Sequence, residues 1–276
     1  EDTAAPPGSE RYDHRHDWRR GLRGHTPLYS DSTNSREAVL YGELRMLFSG
    51  TTSIAGSISS VNAGGLLRNL DNSTYNEGLG DWEADYRTFP LGDSDGTLRD
   101  RGCDDYYIDG IDHLDSRIYL PHISEGIDPE ARNEFICMQM DAAGARPLVA
   151  ANTSIIHGIG LTPQEIGLMA AVDAKLVWSP RSNVHLYGYT APVVEYDNMG
   201  VRIALGTDWI PSGSSQMLRE LQCADYLDTH HYGDHFTDRD LLHMATRDAA
   251  IAMGADGDLG LIRRGYVADI ALYDGR

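Results

Sequence analysis

Metal-capable side chains end three of the apolar strands that the sequence predicts. His122 follows the apolar stretch 118–121, His157 ends a second such stretch, and Asp208 ends a third. Imidazole and carboxylate groups are ligands that Zn²⁺ and Fe²⁺ accept, and a catalytic site of this kind keeps one coordination position for water. Water bound there ionises near neutral pH. The pattern therefore predicts one polar, metal-binding site on the rim of a barrel.

Glu125 lies three residues after His122 and is the natural candidate to move protons. A carboxyl group beside a hydrolytic site can take a proton from the attacking water and pass it to the leaving group. Taken singly, each of these residues has a simpler interpretation: a satisfied polar histidine, a loop glutamate or a turn-capping aspartate. Their positions on successive strand ends favour the catalytic interpretation.

Strands and helices alternate regularly after the first of these strands. Asp128 and Pro129 mark the start of a helix that Gly144 ends, and Thr162 and Glu165 form a capping box for the next helix. Further elements are predicted as strands at 175–178 and 201–206 and as helices at 163–172, 215–229 and 238–253. This alternation predicts βαβ units, a parallel sheet and a (β/α)₈ TIM-type barrel, with catalytic groups at the carboxyl ends of its strands.

The first part of the chain carries weaker patterns. Residues 36–48 have helical spacing of apolar side chains, and short strands are predicted at 51–56, 66–70 and 86–90. Most of the remaining residues up to 117 predict loops. We expect a barrel domain over residues 1–257 that is incomplete at its N-terminus, with 1–35 as a loop over the pocket mouth.

The last part of the chain changes character. Residues 258–272 read as two strands around a glycine turn, and we expect residues 258–276 to begin a small β-sandwich domain. Both ends of the chain have the appearance of cut ends, so a truncated protein or one piece of a nicked one is expected.

Charge and composition exclude some classes of function. The chain of 276 residues has a net charge of −19, which argues against phosphate-mediated nucleic-acid binding and against an anionic membrane surface. No run of about 18 apolar residues occurs, so no membrane span is predicted. The three cysteines, Cys103, Cys137 and Cys223, form no CxxC, and their odd number predicts neither a disulfide framework nor a thiolate zinc site. We expect Cys137 to be a core residue. The cysteine content does not indicate a cellular compartment.

Four motifs between residues 122 and 208 resemble consecutive motifs of the amidohydrolase superfamily. They are His122-Ile123-Ser124-Glu125, Ile156-His157-Gly158, Trp178-Ser179-Pro180-Arg181-Ser182-Asn183 and Leu205-Gly206-Thr207-Asp208. The HxxE spacing is similar to that of the branch containing cytosine deaminase, guanine deaminase and the triazine hydrolases. The segment 260–270 resembles the strand that returns to the superfamily's β-sandwich. The resemblance covers residues 118–276 well and 36–56 loosely.

The resemblance implies roles at the metal. His122, on the fifth barrel strand, and Asp208, on the eighth, would bind one divalent ion, with zinc expected and iron as the alternative. Asp208 would also accept a proton from the attacking water, and Glu125 would be the proton shuttle. His157, on the sixth strand, would polarise the substrate or hold the hydroxide, or would bind the metal directly if the site is arranged otherwise.

The resemblance also implies a substrate pocket and a reaction. Asn183 and His185, after the seventh strand, would line the pocket, although a helix-start or turn position is an equally simple interpretation. A small-molecule substrate would be attacked by metal-bound hydroxide at a carbon that carries a nitrogen leaving group. Deamination of a heterocycle and opening of a cyclic amide fit equally. A catalytically silent barrel that binds a ligand or partner is the alternative, and the oligomeric state is open.

One motif of the superfamily has no clear equivalent. Its first strand ends in a His-x-His pair that supplies two metal ligands. His14-Arg15-His16 has this spacing, but it follows polar residues rather than an apolar strand. We therefore expect the pair upstream of Glu1, in an upstream segment or a companion fragment. His14, His16, Trp18 and His25 would then belong to the loop over the pocket mouth.

Overall fold

A parallel sheet lies at the centre of the protein. The computed structural model describes residues 10–29, 35–56, 66–80 and 83–274. A short two-stranded parallel ladder joins β1 (Ser53–Ile54) to β2 (Arg68–Asn69). The main sheet has five parallel strands in the order β3-β4-β5-β6-β7. These strands are β3 (Asp85–Arg87), β4 (Tyr119–Ile123), β5 (Ser154–His157), β6 (Lys175–Trp178) and β7 (Ile203–Leu205).

Helices follow most strands of this sheet, as the alternating pattern predicts. They are α1 (Arg15–Arg20), α2 (Arg36–Leu47), α3 (Pro129–Cys137), α4 (Pro163–Ala171), α5 (Pro180–Tyr187), α6 (Val193–Asn198), α7 (Met217–Leu227), α8 (Asp238–Ala245) and α9 (Arg247–Ala252). The Asp128 side chain accepts the Ala131 amide at the start of α3, and Thr162 and Glu165 form the predicted capping box of α4. Among the described residues, no helix has both the length and the apolarity that crossing a bilayer requires.

The two faces of the sheet bury different sets of side chains. Tyr119, Ile123 and Ile155 belong to the main core cluster, which includes Phe135 of α3. Leu120 and Ile156 belong to a second cluster on the opposite face. Because side chains alternate along a strand, His122 shares the face of Leu120. The carboxyl end of β4 therefore points its histidine away from the helix layer.

Several short elements confirm the weaker predictions, and one prediction needs correction. The helix at 36–47 and the strands β1, β2 and β3 lie where they are expected. The segment predicted as a loop over residues 1–35 contains α1, and residues 14–17 are buried. The charges of this helix are paired inside the protein: Arg15 contacts Asp93 and Glu134, and Asp17 contacts Arg23. Residues 1–9 and 30–34 lie outside the described part.

The C-terminal segment does not form the two strands predicted at 258–272. No strand is assigned between residues 258 and 274. A strand needs a neighbour that accepts its backbone hydrogen bonds, and none of the described strands pairs with this segment. Side-chain contacts hold it instead, through Arg68 with Asp269 and through the Tyr273 hydroxyl, which donates to the Ser49 carbonyl at 2.6 Å. The β-sandwich domain stays a prediction.

A disulfide bond corrects the expectation drawn from the cysteine count. Cys103 and Cys137 are bonded, with their Cα atoms 5.6 Å apart, and Cys223 is free. Cys137 is also a core residue, as predicted. An odd number of cysteines leaves one thiol unpaired but does not prevent the other two from forming a bond. Cys103 and Cys137 come together because the loop before β4 folds back onto α3, and the sequence does not reveal this contact.

Candidate active site

The backbone takes an unusual conformation where three strands of the main sheet end. Ser124, His157 and Asp208 have φ values of 56°, 82° and 55°, which lie in the left-handed region. Residues other than glycine rarely adopt this region, and such positions concentrate at functional sites. In register, His157 pairs with Ile123, which faces the helix layer. The left-handed turn at His157 breaks the alternation and brings its ring to 5.3 Å from the His122 ring, centroid to centroid.

His122 is held as a neutral imidazole with one nitrogen directed into the site. Its Nδ1 lies 3.1 Å from the Arg87 carbonyl oxygen, which can only accept, so Nδ1 carries the proton. Its Nε2 faces the Tyr86 hydroxyl at 3.4 Å. Burial and then the neighbouring His157 lower the pKa of His122 to about 3. A neutral histidine whose other nitrogen donates to a carbonyl is the form that binds metals.

His157 is oriented by Asn183 of α5. The amide nitrogen of Asn183 lies 3.4 Å from His157 Nδ1, and its amide oxygen accepts from the Thr190 hydroxyl at 3.2 Å. Since an amide nitrogen only donates, Nδ1 is the acceptor and the proton lies on Nε2. That Nε2 is 3.5 Å from Glu125 Oε2.

Glu125 is a buried carboxyl group within this cluster. Burial is the main cause that raises its pKa, and the charge of Asp208 adds to it, whereas His157, Arg15 and Tyr187 act in the opposite direction. The Tyr187 hydroxyl donates to Glu125 Oε1 at 2.7 Å. A buried carboxyl with a raised pKa beside histidines has the properties of a general acid and base.

Asp208 follows β7 and is half-buried. Its charge raises the pKa values of Tyr86 and Glu125, in each case after the larger effect of burial. The next residue, Trp209, stacks on Trp18 of α1 with 5.3 Å between ring centroids and an interplanar angle of 22°. The N-terminal helix therefore contacts the loop that carries Asp208.

The remaining predicted residues differ in their relation to this cluster. Asn183 contacts His157, as described. His185 lies half-buried further along α5, and its role in substrate binding stays a prediction.

His14 and His16 lie at the start of α1, where their rings face carboxylates. His14 Nε2 lies 3.3 Å from Glu134 Oε1, and His16 Nε2 lies 2.8 Å from Asp93 Oδ2. The ligand atoms of His14, His16 and Glu134 fall within 4.8 Å of one another. Arg15 between them contacts both carboxylates, and its charge counters the effect of burial and lowers the pKa of Asp93.

Two aromatic residues of the site, Tyr86 and Tyr187, were not predicted from the sequence, and a third, Trp18, was expected only in the loop over the pocket mouth. Tyr86 contacts His122, Tyr187 contacts Glu125, and the Trp18 indole nitrogen donates to the Tyr187 hydroxyl at 2.8 Å. Tyrosine and tryptophan at isolated positions most often pack in a core, and only the folded arrangement distinguishes these three.

Comparison with known proteins defines the family. The model of the amidohydrolase family matches residues 127–276. That is more than half of the chain, and the chain belongs to the amidohydrolase family.

Curated relatives match over part of their length. The 5-methylthioadenosine/S-adenosylhomocysteine deaminase of Pyrococcus furiosus is 34% identical over 121 residues, which are 43% of this chain and 28% of that protein. The chain spans less than half the length of the curated relatives that it matches.

Solved structures show the same fold at low sequence identity. Triazine hydrolase from Arthobacter aurescens has a TM-score of 0.52 at 19% identity, covering 84% of this chain and 62% of its own. An adenosine deaminase from Xanthomonas campestris, solved with bound zinc, has a TM-score of 0.52 at 18% identity, covering 85% of this chain and 61% of its own.

Proposed function

We propose that this protein is a metal-dependent hydrolase of carbon–nitrogen bonds that acts on a small heterocyclic substrate. One observation carries the proposal: the buried carboxyl of Glu125 lies against His157, whose ring neighbours the neutral His122 at the same end of the sheet. Membership of the amidohydrolase family supports it. The deaminase relatives favour deamination over the opening of a cyclic amide.

The donor set fits a divalent ion. His122 presents an unprotonated Nε2, and Asp208, after β7, would add a carboxylate. Neutral imidazole with carboxylate suits zinc, and iron is the alternative. A bound ion would lower the pKa of a water molecule and polarise the substrate. Two further ligands are expected from a His-x-His pair, either His14 and His16 or a pair in an upstream segment or companion fragment.

The side chains divide the proton transfers between them. Asp208 accepts one proton of the attacking water, and Glu125, as the shuttle, carries a proton from that water to the leaving nitrogen. The raised pKa of Glu125 suits this role, because the carboxyl group must hold a proton between its uptake from the water and its delivery to the leaving nitrogen. His157 directs its Nε2–H to the reacting oxygen, and Asn183 keeps that tautomer. Asn183 and His185 line the pocket.

The fold proposal extends beyond the observed sheet. Among the described residues no ladder closes the five strands into a barrel. We propose that they form part of a (β/α)₈ barrel over residues 1–257, and that 258–276 belong to a small β-sandwich domain in which they would pair as strands only against a neighbouring strand that the described residues do not supply. The sequential strand order and the likeness to the two solved hydrolases support the barrel.

A catalytically silent barrel remains the second candidate, and one observation favours it. Within the described residues, the group of three ligand atoms close enough for a metal is that of His14, His16 and Glu134, without His122 or Asp208. If the metal site at His122 is not completed, the protein binds a ligand or partner without chemistry.

Metal content and turnover test the proposal together. The purified protein is analysed for bound metal and assayed for ammonia release from purine nucleosides, pyrimidines and triazines. We expect tightly bound zinc or iron that the His122→Ala variant loses. We expect Glu125→Gln to keep the metal and lose activity by about 10² to 10⁴-fold.

A matched control separates the site from general effects. Glu195 is an exposed glutamate on α6, so Glu195→Gln should leave turnover unchanged. Turnover of Glu125→Gln at the parent rate would refute the assigned chemistry. A metal-free, inactive parent protein would favour the silent barrel.

A further inference from the structure

A chain of two hydrogen bonds joins the N-terminal helix to the proposed proton shuttle. The Trp18 Nε1–H donates to the Tyr187 hydroxyl at 2.8 Å, and that hydroxyl donates to Glu125 Oε1 at 2.7 Å. Tyr187 is buried at the end of α5. Trp18 belongs to α1, so three separate parts of the chain meet at this relay.

The direction of the relay follows from the chemistry of its members. An indole N–H only donates, so it occupies an acceptor position of the tyrosine oxygen and leaves the phenolic proton for Glu125. Burial, followed by the charge of Glu125, raises the pKa of Tyr187 well above its usual value, so the phenol keeps its proton. The hydroxyl therefore has one orientation available to it.

The relay holds one oxygen of Glu125 and leaves the other facing the site. With Oε1 bound to Tyr187, Oε2 lies 3.5 Å from His157 Nε2. Without the phenol, a buried Oε1 would lose its donor, and the carboxyl group would be free to rotate. A misplacement of a catalytic group by about 1 Å can lower a rate by about 10²-fold.

The same helix also holds the backbone beneath Glu125. The Arg15 amide donates to the Glu125 carbonyl at 2.9 Å, and the Ile127 amide donates to the Asp13 carbonyl at 2.8 Å. At Gly126 the two segments are so close that an added Cβ would lie 2.5 Å from the Asp13 carbonyl oxygen. The helix is therefore docked on this turn through its backbone as well as through Trp18.

We propose that Tyr187 and Trp18 are positioning residues for Glu125: Tyr187 fixes the rotation of its carboxyl group, and Trp18 fixes the hydroxyl of Tyr187. This inference rests on the proposed function, in which Glu125 moves the proton. It assigns to α1 a part in the reaction that does not depend on whether His14 and His16 bind metal.

The first test removes each hydrogen bond with the smallest change of shape. Tyr187→Phe should lower kcat by about 10- to 100-fold with little change in KM, because the substrate is still bound but the proton is poorly delivered. Trp18→Phe keeps an aromatic ring against Trp209 and should lower kcat by about 3- to 10-fold.

Tyr12→Phe is the matched control. Tyr12 belongs to the same buried cluster as Tyr187, but its hydroxyl donates to the Thr26 carbonyl at 3.0 Å. This variant should keep the parent kcat. An equal loss in Tyr12→Phe and Tyr187→Phe would show a general effect of packing and would overturn the proposal.

A double variant separates this inference from the proposed function. In a Glu125→Gln background, Tyr187→Phe should cause no further loss, because the group that it positions is already absent. Full additivity of the two losses, or a parent kcat in Tyr187→Phe, would overturn the positioning role while leaving Glu125 as the shuttle. Parent activity in Glu125→Gln would instead overturn the proposed function.

An infrared measurement reads the contact without turnover. The carboxyl band that disappears in Glu125→Gln identifies Glu125, and this band should shift in Tyr187→Phe and stay in place in Tyr12→Phe. An unshifted band in Tyr187→Phe contradicts the proposal. If Tyr187→Phe does not fold, the same band is measured in Trp18→Phe, where a smaller shift is expected and its absence has the same meaning.

Discussion

Glu220 shows how burial raises the pKa of a carboxyl group when the charge of a nearby arginine, Arg181, is too weak to offset it. It lies fully buried on α7, and its Oε1 accepts the Arg181 amide at 3.0 Å. Burial raises the pKa of Glu220 to about 8. Asp93 is buried as well, but there Arg15 and His16 together outweigh the effect of burial and lower the pKa. The two carboxyl groups therefore affect the stability of the fold in opposite directions as the pH changes.

Glu220 predicts a loss of stability as the pH rises from about 4.5 to about 8. In the folded state it holds its proton up to a pH of about 8, whereas the unfolded chain releases it near 4.5. The free energy of unfolding should therefore fall as pH rises between these values, by a few kcal/mol in all, at about 1.4 kcal/mol per pKa unit. Glu220→Gln should be more stable than the parent at the upper end of this window and equal to it at the lower end.

Denaturant unfolding at both ends of the window checks this prediction. The exposed Glu195→Gln variant should follow the parent at each pH. If Glu220→Gln shows the same pH dependence as the parent, the buried carboxyl is not the cause.

At the residue scale, the sequence predicts the polar residues at the strand ends. It does not predict the residues that orient their side chains. His122, Glu125, His157 and Asp208 follow apolar stretches, so their location at one end of the sheet is predictable. Tyr187 is separated from Trp18 by 169 positions, and no periodicity relates the two. Their contact depends on how α1 docks, which is a tertiary event.

At the scale of elements, α3 anchors the turn that carries Glu125. Glu134 of α3 accepts the Ser124 amide at 2.8 Å, and it also contacts Arg15 of α1. The disulfide between Cys103 and Cys137 joins the end of this helix to the preceding long loop. The helix is therefore held from three directions.

Loss of the disulfide should weaken this anchoring. Cys103 and Cys137 are 34 positions apart, and closing a loop of that length is worth up to about 4 kcal/mol through the entropy of the unfolded chain. Cys103→Ser should therefore lower the urea concentration at the unfolding midpoint. A reductant should lower the midpoint of the parent protein by a similar amount. Cys223→Ser, at the free thiol, should do neither. Equal midpoints of Cys103→Ser and Cys223→Ser would contradict the prediction.

Elements with a regular apolar pattern and explicit caps were predictable, and α1 was not. The helices α3 and α4 begin at the residues that their capping signals indicate. In α1 the buried residues are charged or polar, so they form no apolar pattern. Their burial depends on pairing with Asp93 and Glu134, which lie far away in the sequence. The segment 258–274 has the residues of strands, but strand formation also requires a pairing partner.

At the scale of the whole molecule, the excess of acidic groups opposes compactness. The net charge of −19 places many like charges on one surface, and their repulsion is relieved when the chain expands. Salt screens charges that are more than about 10 Å apart at an ionic strength of about 0.1 M.

Stability should therefore rise with salt. We expect the Tm in about 0.3 M NaCl to exceed that in about 0.01 M NaCl, because the Debye length shortens several-fold over this range. Thermal melts at neutral pH measure the difference, and an uncharged solute of equal osmolality is the control. A Tm that stays constant or falls as NaCl is added would show that repulsion between surface charges does not significantly destabilise the folded state.

The strand order was predictable at this scale, because successive βαβ units place each strand beside the previous one. Closure of the sheet into a barrel does not follow from this local alternation. It depends on pairing at both edges of the sheet, and β3 and β7 have no further neighbour among the described strands.

The stacked rings of Trp18 and Trp209 give the molecule an optical reporter of its own. One indole belongs to the helix that docks on Glu125, and the other adjoins Asp208. Emission and near-ultraviolet dichroism of stacked indoles depend on their separation and mutual angle. Movement of the helix relative to the loop would change this separation and angle, and with them the intrinsic fluorescence and dichroism of the pair.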